Sequence, residues 1–370
     1  MLTSVSINAG VFLDAILAVT GVLPQRTIIP GEDYVLVSPN PNGATLSVNS
    51  TGGKAEFGVC FEPKLNAPFS FNGRLMAGLV DTLGNEEIEI TPGKGGAGAI
   101  VKHATGTFFV EGVNPKDLTI PNLAASDNGQ SIDSESAHIL AAILTAKSFT
   151  MDEDAMKPQF SGVRFDGEFA WATDQQVFVI VDLPNGKSVN WFVYSGHFQK
   201  LTSFLLRNER FKMVSLPNAD ILIGSGYNIS LPKTEVPASA FNSIKNKLLP
   251  EHVEITVTVS EILPILDRIS ALTRSDGNIG HYLTISLNGG TLRFSAESLI
   301  QAGTIEEAIP LGFEYGEGFP EIYVPLKNLT KCLFPHRKSE DVMFRYPKEE
   351  RKPFSLKAGN ITTIGMVHGK

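Results

Sequence analysis

Apolar and polar positions along this chain recur with two periods, and the order of those periods itself repeats. From Asn8 to Thr20 the apolar residues Phe12, Leu13, Ile16, Leu17 and Val19 mark one face of a helix. The same spacing returns from Ser134 to Ser148 (Ile139, Leu140, Ile143, Leu144) and from Ser260 to Leu272 (Ile262, Leu263, Ile265, Leu266, Ile269). Asn8, Ser134 and Ser260 stand where an N-cap is expected, because their side chains accept an orphan backbone N–H. Each helix is followed by a period of two, in YVLVSPNPNGATLSV, VRFDGEFAWAT and LTISLNGGTLRFSA. Those runs are broken by Asn42-Gly43, Asp166-Gly167 and Asn288-Gly289, dipeptides that tolerate the positive φ of a two-residue hairpin turn. A second helical pattern then begins near Asn72, Gly196 and Pro325 (NGRLMAGLVDTL, GHFQKLTSFLLR, PLKNLTKCLF).

The hairpin signals lie 124 and 122 residues apart, and a third of the 370-residue chain is about 123. Three copies of one α+β domain are expected, each reading strand, helix, several strands, helix, several strands. The expected boundaries are 1–125, 126–250 and 251–370, with PNLAASDNGQ (from Pro121) and LLPEH (from Leu248) as linkers.

Composition narrows the chemistry. Hydrophobic residues at 42% and charged residues at 19% are enough for several packed cores. A net charge of -8 excludes a generally basic nucleic-acid coat but leaves room for a locally basic surface. Cys60 and Cys332, the two cysteines, exclude a disulfide scaffold and a zinc ribbon; Cys60, within FGVCF, is expected to be a buried small apolar side chain. No targeting signal or membrane-spanning apolar run is visible, so a cytoplasmic protein is expected. GKGGAGA from Gly93 lacks the Lys-Ser/Thr of a phosphate loop and reads as a hairpin connection. The seven histidines show no metal-ligand spacing, and no nucleophile elbow occurs. No metal, no cofactor and no catalytic residue is expected; the chain reads as a binding or structural protein.

The stretch Ile132–Pro184 carries a family resemblance. A helix is followed by Phe149-Thr150-Met151, an acidic stretch, Gly162-x-x-Phe165, a hairpin, Ala172-Thr173-Asp174, and a strand ending Leu183-Pro184. This order resembles the middle domain of the bacterial DNA polymerase III beta subunit, the sliding clamp. Arg26-Thr27-Ile28-Ile29-Pro30 resembles a turn of that family's first domain, and Phe71–Leu123 resembles the rest of it. The divergence from the family pattern is what a phage- or plasmid-encoded member would show.

The resemblance implies a three-domain clamp fold, each domain having two helices packed on antiparallel sheets. It implies a head-to-tail homodimer forming a ring around duplex DNA, which tethers a replicative DNA polymerase by topology. DNA contacts are then to phosphates and independent of sequence. The six helical segments, taken with Asp133 and Arg274 just outside their ends, carry eight Lys or Arg against six Asp or Glu, more positive than the chain as a whole. The expected DNA-facing cations are Arg26, Arg74, Lys147, Lys200, Arg207, Arg268, Arg274, Lys327 and Lys331.

In the family, DNA polymerase and the clamp loader dock short apolar peptides between the second and third domains. By matching position the groove comprises Phe160, Thr173, Gln175, Gln176, Val177, Phe178, Lys247, Leu248, Ile364, Met366 and Val367. The family's T-D-G-H-R-L reads Thr173-Asp174-Gln175-Gln176-Val177-Phe178 here, and its M-P-M-R-L ending is absent. The dimer interface is expected to use Phe108 and Val110 of an edge strand against Ala271 and Leu272. Two readings of other classes compete: a repeat-built structural protein such as a virion component, and an enzyme with a site assembled between domains.

Overall fold

The structure, a computed structural model, describes residues 4–24, 29, 31–119, 123, 130–152, 157–184, 189–234, 236, 251–273, 282–297, 303–316 and 318–368. Arg26, Lys247, Leu248 and Arg274, most of PNLAASDNGQ, and Leu248–Pro250 of the second linker lie outside the described residues.

Among the described residues the elements follow one order three times: strand, helix, four strands, helix, three strands. The first pass is β1 (Val5–Asn8), α1 (Ala9–Thr20), β2 (Tyr34–Asn40), β3 (Gly43–Ser50), β4 (Gly53–Val59), β5 (Phe69–Asn72), α2 (Gly73–Asp81), β6 (Glu87–Pro92), β7 (Ala99–His103) and β8 (Gly106–Val110). The second is β9 (Gln130–Glu135), α3 (Ser136–Ala146), β10 (Gly162–Gly167), β11 (Phe169–Thr173), β12 (Val177–Asp182), β13 (Val189–Tyr194), α4 (Phe198–Arg207), β14 (Arg210–Ser215), β15 (Ala219–Ile223) and β16 (Tyr227–Pro232). The third is β17 (His252–Thr258), α5 (Val259–Thr273), β18 (Tyr282–Asn288), β19 (Thr291–Glu297), β20 (Thr304–Pro310), β21 (Ile322–Pro325), α6 (Leu326–Leu333), β22 (Asp341–Pro347), β23 (Phe354–Ala358) and β24 (Ile361–Gly365).

In each pass the first strand runs straight into the first helix. The residue just before the neighbouring strand supplies a carbonyl to the helix's first N–H: Ala9 N donates to Glu86 O at 2.8 Å, Ser136 N to Glu209 O at 2.9 Å and Val259 N to Glu340 O at 2.9 Å. One of the orphan donors of each helix start is thereby satisfied by backbone. Asn8 also caps as expected, accepting from Gly10 N at 3.0 Å and Val11 N at 3.3 Å. Ser134 and Ser260 do not cap: Ser134 pairs with Phe211 inside β9, and Ser260 is the second residue of α5.

All three expected hairpins form with two-residue loops, closed by the pairs Asn40 with Gly43, Asp166 with Phe169 and Asn288 with Thr291. The loops are Pro41-Asn42, Gly167-Glu168 and Gly289-Gly290, each one residue away from the dipeptide expected. Gly167 (φ 63) and Gly289 (φ 55) sit in the left-handed region, where a side chain is strained. Cys60 is exposed, contrary to expectation, because the alternation buries its neighbours Val59 and Phe61 and turns Cys60 to the opposite side. The Gly93 segment is a connection between β6 and β7, with Gly93 N donating to Gly98 O at 2.8 Å.

The chain forms two compact units, Met1–Leu140 with Gly196–Thr234, and Ala141–Ser195 with Glu235–Lys370. The first holds the four-stranded sheet β1-β6-β7-β8 and the eight-stranded sheet β5-β2-β3-β4-β16-β15-β14-β9. Its core gathers Phe12 of α1 with Phe61 and Phe71, and Phe204 of α4 with Tyr227 and Phe211, at ring separations of 5.4–6.0 Å. The buried Tyr227 hydroxyl donates to Ala18 O at 2.8 Å; burial pushes its pKa up to about 12.

The second unit holds the four-stranded sheet β20-β19-β18-β21 and the eight-stranded sheet β13-β10-β11-β12-β24-β23-β22-β17. Phe344 stacks on Phe354 at 5.6 Å, and the Tyr346 hydroxyl donates to Ile285 O at 2.9 Å. Each eight-stranded sheet is two four-stranded halves joined at one antiparallel seam. In the first unit the seam is β4 with β16, from Phe57 opposite Tyr227 to Lys54 opposite Ser230. In the second it is β12 with β24, from Val177 opposite Gly365 to Val181 opposite Ile361.

Candidate functional site

The helix cations divide into those engaged within the fold and those left to solvent. Lys200 of α4 is half-buried and its Nζ donates to Gly52 O at 2.7 Å; burial pulls its pKa below the usual lysine value. Arg207, the last residue of α4, pairs with Asp14 of α1 and donates to Ser203 Oγ at 2.6 Å. Arg268 of α5 makes a two-pronged pair with Glu307 of β20, at 2.5 and 2.9 Å. Lys331 of α6 donates to Asp174 Oδ2 at 2.5 Å. These four were expected to face DNA, and the structure gives each a partner in its own chain. Arg74 of α2 is intermediate: it donates to Pro24 O and lies 3.5 Å from Asp33, with its side chain 44% exposed. Lys147 and Lys327 are exposed and carry no side-chain partner among the described residues.

The groove residues lie together in the second unit. Phe178 (β12) and Ile364 (β24) face each other across the seam and cluster with Trp171 and Ile180, and Phe169 and Met366 pack against them. Side chains alternate along a strand, so Ile364 lies on the face opposite Thr363, whose hydroxyl donates to Cys332 O of α6 at 2.9 Å. The cluster therefore sits on the sheet face away from α6. Thr173, Val177 and Ile364 are buried; Gln176 is exposed; Phe160, Gln175, Met366 and Val367 are half-buried. Phe160 O accepts from Met151 N at 2.8 Å, and Gln176 O accepts from Met366 N at 3.0 Å, which ties the β11–β12 turn to the chain beyond β24. Trp171 was missed at the sequence level, where it reads as one more alternating strand residue.

Beneath this sheet His336 Nε2 lies 3.2 Å from Thr363 Oγ1. The Thr363 hydroxyl is committed to Cys332 O, so Oγ1 is the acceptor and Nε2 carries the proton. Burial holds the His336 pKa down at about 4 and pushes the Cys332 thiol up, so neither ionises near neutrality.

At the expected interface, Val110 of β8 is fully buried in its own unit, and Phe108 is half-buried beside His103 at 5.8 Å. The large apolar side chain exposed on this strand is Phe109, 57% accessible, opposite Ile100 of β7. Alternation puts Phe108 and Val110 on one face of β8 and Phe109 on the other. Ala271 is exposed, and Leu272 is half-buried beside Gly303. β8 and β20 are each paired on one side only among the described residues.

Among the described residues no three His, Cys, Asp or Glu side chains form a metal set, and no helix is long and apolar enough to cross a membrane. No family model matches the chain, and no curated protein sequence does. Solved structures do match over its full length. The DNA polymerase sliding clamp of Bacillus subtilis is 16% identical at a TM-score of 0.80, with 100% of both chains covered. The sliding clamp of Caulobacter crescentus is 13% identical at 0.80, again with 100% of both chains covered. The DNA polymerase III subunit beta of Pseudomonas aeruginosa is 13% identical at 0.80, covering 99% of this chain and 100% of that one. With its α+β elements, antiparallel sheets and element order, this chain has the fold of the DNA polymerase III beta sliding clamps.

Proposed function

We propose that this chain is a DNA sliding clamp, a processivity factor that encircles duplex DNA as a homodimeric ring and tethers a DNA polymerase. The observation that carries the reading is the rule by which its sheets are joined. The fourth strand of the first pass, counted before its second helix-bearing half (β4), pairs with the last strand of the second (β16). The corresponding strand of the second pass (β12) pairs with the last strand of the third (β24). Applied once more, the rule needs β20 to meet a last strand, and the one left over is β8. A second copy of the chain supplies it, giving a heterologous contact that closes on itself. Each copy then contributes three domains, at 1–125, 126–250 and 251–370, and the two leftover four-stranded sheets become eight-stranded like the others.

In this reading Phe108 and Phe109 of β8 meet β20, Ala271 and Leu272 of the next copy. Lys147, Lys327 and Arg74 contact phosphates, and Arg26 and Arg274 are assigned the same role. The Phe178, Ile364 and Met366 cluster, rimmed by Gln175, Gln176, Phe160 and Val367, takes apolar peptides of the polymerase and clamp loader, and Lys247 and Leu248 are assigned to the same role. The chain has no catalytic role and works in the cytoplasm, where its DNA is. The test is topological: loaded protein should persist on nicked circular DNA and be lost when the circle is cut once. Equal retention on circular and linear DNA rejects the reading, and turnover of a substrate would favour an enzyme instead.

A further inference from the structure

We propose that Lys331, whose sequence position suggested a DNA contact, is instead the positioning residue of the peptide groove. The inference rests on the groove reading above. The turn between β11 and β12 presents Gln175 and Gln176 at the rim and starts the strand that carries Phe178. It holds an unfavourable shape, since Gln175 has φ 76, in the left-handed region that non-glycine residues avoid.

Side-chain oxygens impose that shape. Thr173 Oγ1 accepts from Gln175 N at 2.9 Å; Asp174 Oδ1 accepts from Gln176 N at 2.9 Å and from Val177 N at 2.8 Å. The turn therefore follows the orientation of the Asp174 carboxylate. Lys331 sets that orientation through the other oxygen, donating to Oδ2 at 2.5 Å. Its ammonium also lies 5.5 Å over the Phe149 ring, and both members of the pair are about three-quarters withdrawn from water, at 28% and 24% exposure. The hold extends to the other wall, because Gln176 O accepts from Met366 N. Lys331 cannot touch the peptide itself: α6 packs on the sheet face opposite the Phe178 and Ile364 cluster. It acts through Asp174.

The test uses the full chain, a fluorescein-labelled hexapeptide Gly-Gly-Leu-Ser-Leu-Phe, and amide hydrogen exchange read at Gln176 and Val177. Lys331→Met is expected to weaken the peptide about tenfold and to speed exchange of both amides about tenfold, with the salt dependence of DNA binding unchanged. Lys331→Arg keeps the charge and is expected to recover most of both effects. Asp174→Asn keeps an acceptor for the two amides but loses the ion pair, and is expected to exchange as fast as Lys331→Met. Unchanged exchange in Lys331→Met overturns the proposal. So does unchanged peptide affinity with a shallower salt dependence, which would make Lys331 a DNA contact. If the wild-type chain ignores the peptide, the groove reading falls and the proposed role with it, while the exchange arm separately reports whether Lys331 holds the turn.

Discussion

His336 is a buried imidazole, 1% exposed, whose Nδ1 has no hydrogen-bond partner among the described residues. Protonating it would place an unpaired charge in the second unit's core. Its folded pKa of about 4 lies below the ordinary 6.5, so the neutral form is the stabilising one. That stability is fully present above pH 6.5 and is lost as pH falls from 6.5 toward 4. Unfolding free energy from denaturant titration should be roughly 2 kcal/mol lower at pH 5 than at pH 7 from this residue. His336→Gln, which keeps a donor for Thr363, should remove that part of the slope; an unaltered pH profile would show that other groups set it. Lys200 makes a second residue-scale case. Lys200→Glu would turn a carboxylate toward the Gly52 carbonyl and should cost about 1–3 kcal/mol. Lys200→Met should cost less than about 1 kcal/mol, as judged by thermal denaturation. A charge reversal here thus reports on folding as much as on DNA.

Helix starts and edge strands decide how far sequence reasoning reaches at the scale of elements. Apolar spacing located the helices and strand alternation located the hairpins, since both follow from a buried face and leave a periodic trace. The loops were misplaced by one residue because Asn-Gly and Asp-Gly signal tolerance of positive φ, not the register of the flanking pairs. Ser134 and Ser260 looked like caps because the carbonyls that serve instead, those of Glu209 and Glu340, lie more than 70 residues away in sequence. The partners of the cations were illegible for the same reason: Arg207 meets Asp14 across 193 positions, Lys331 meets Asp174 across 157, and Lys200 meets Gly52 across 148. Nothing local encodes such a meeting. The edge strand β8 offers the clearest test at this scale. Phe109→Asp changes an exposed side chain and should leave each chain folded while halving the solution mass. Val110→Asp would bury an unpaired carboxylate and should unfold the first unit, seen as a loss of at least about 3 kcal/mol. A Phe109→Asp protein that keeps its mass would reject β8 as the joining edge.

For the molecule as a whole, the proposed closure makes a quantitative claim. Two chains of 40.0 kDa give a particle of about 80 kDa by light scattering, and a single chain or three chains would break the proposed count. A chain of net charge -8 with most helix cations already paired should also hold DNA weakly by electrostatics. Lys147→Glu with Lys327→Glu removes four of the remaining contacts per two-chain ring. It should reduce the slope of log affinity against log salt by about 3–4, while retention on circular DNA at moderate salt changes little.

The joints between first strand and first helix bear on how such a protein ages. Each is closed by main-chain atoms, which every amino acid possesses. Substitution at these positions can proceed without loosening the connection, so no residue alphabet records it. Lineages sharing this architecture are free to drift until comparison of letters falls silent, while comparison of shapes still speaks.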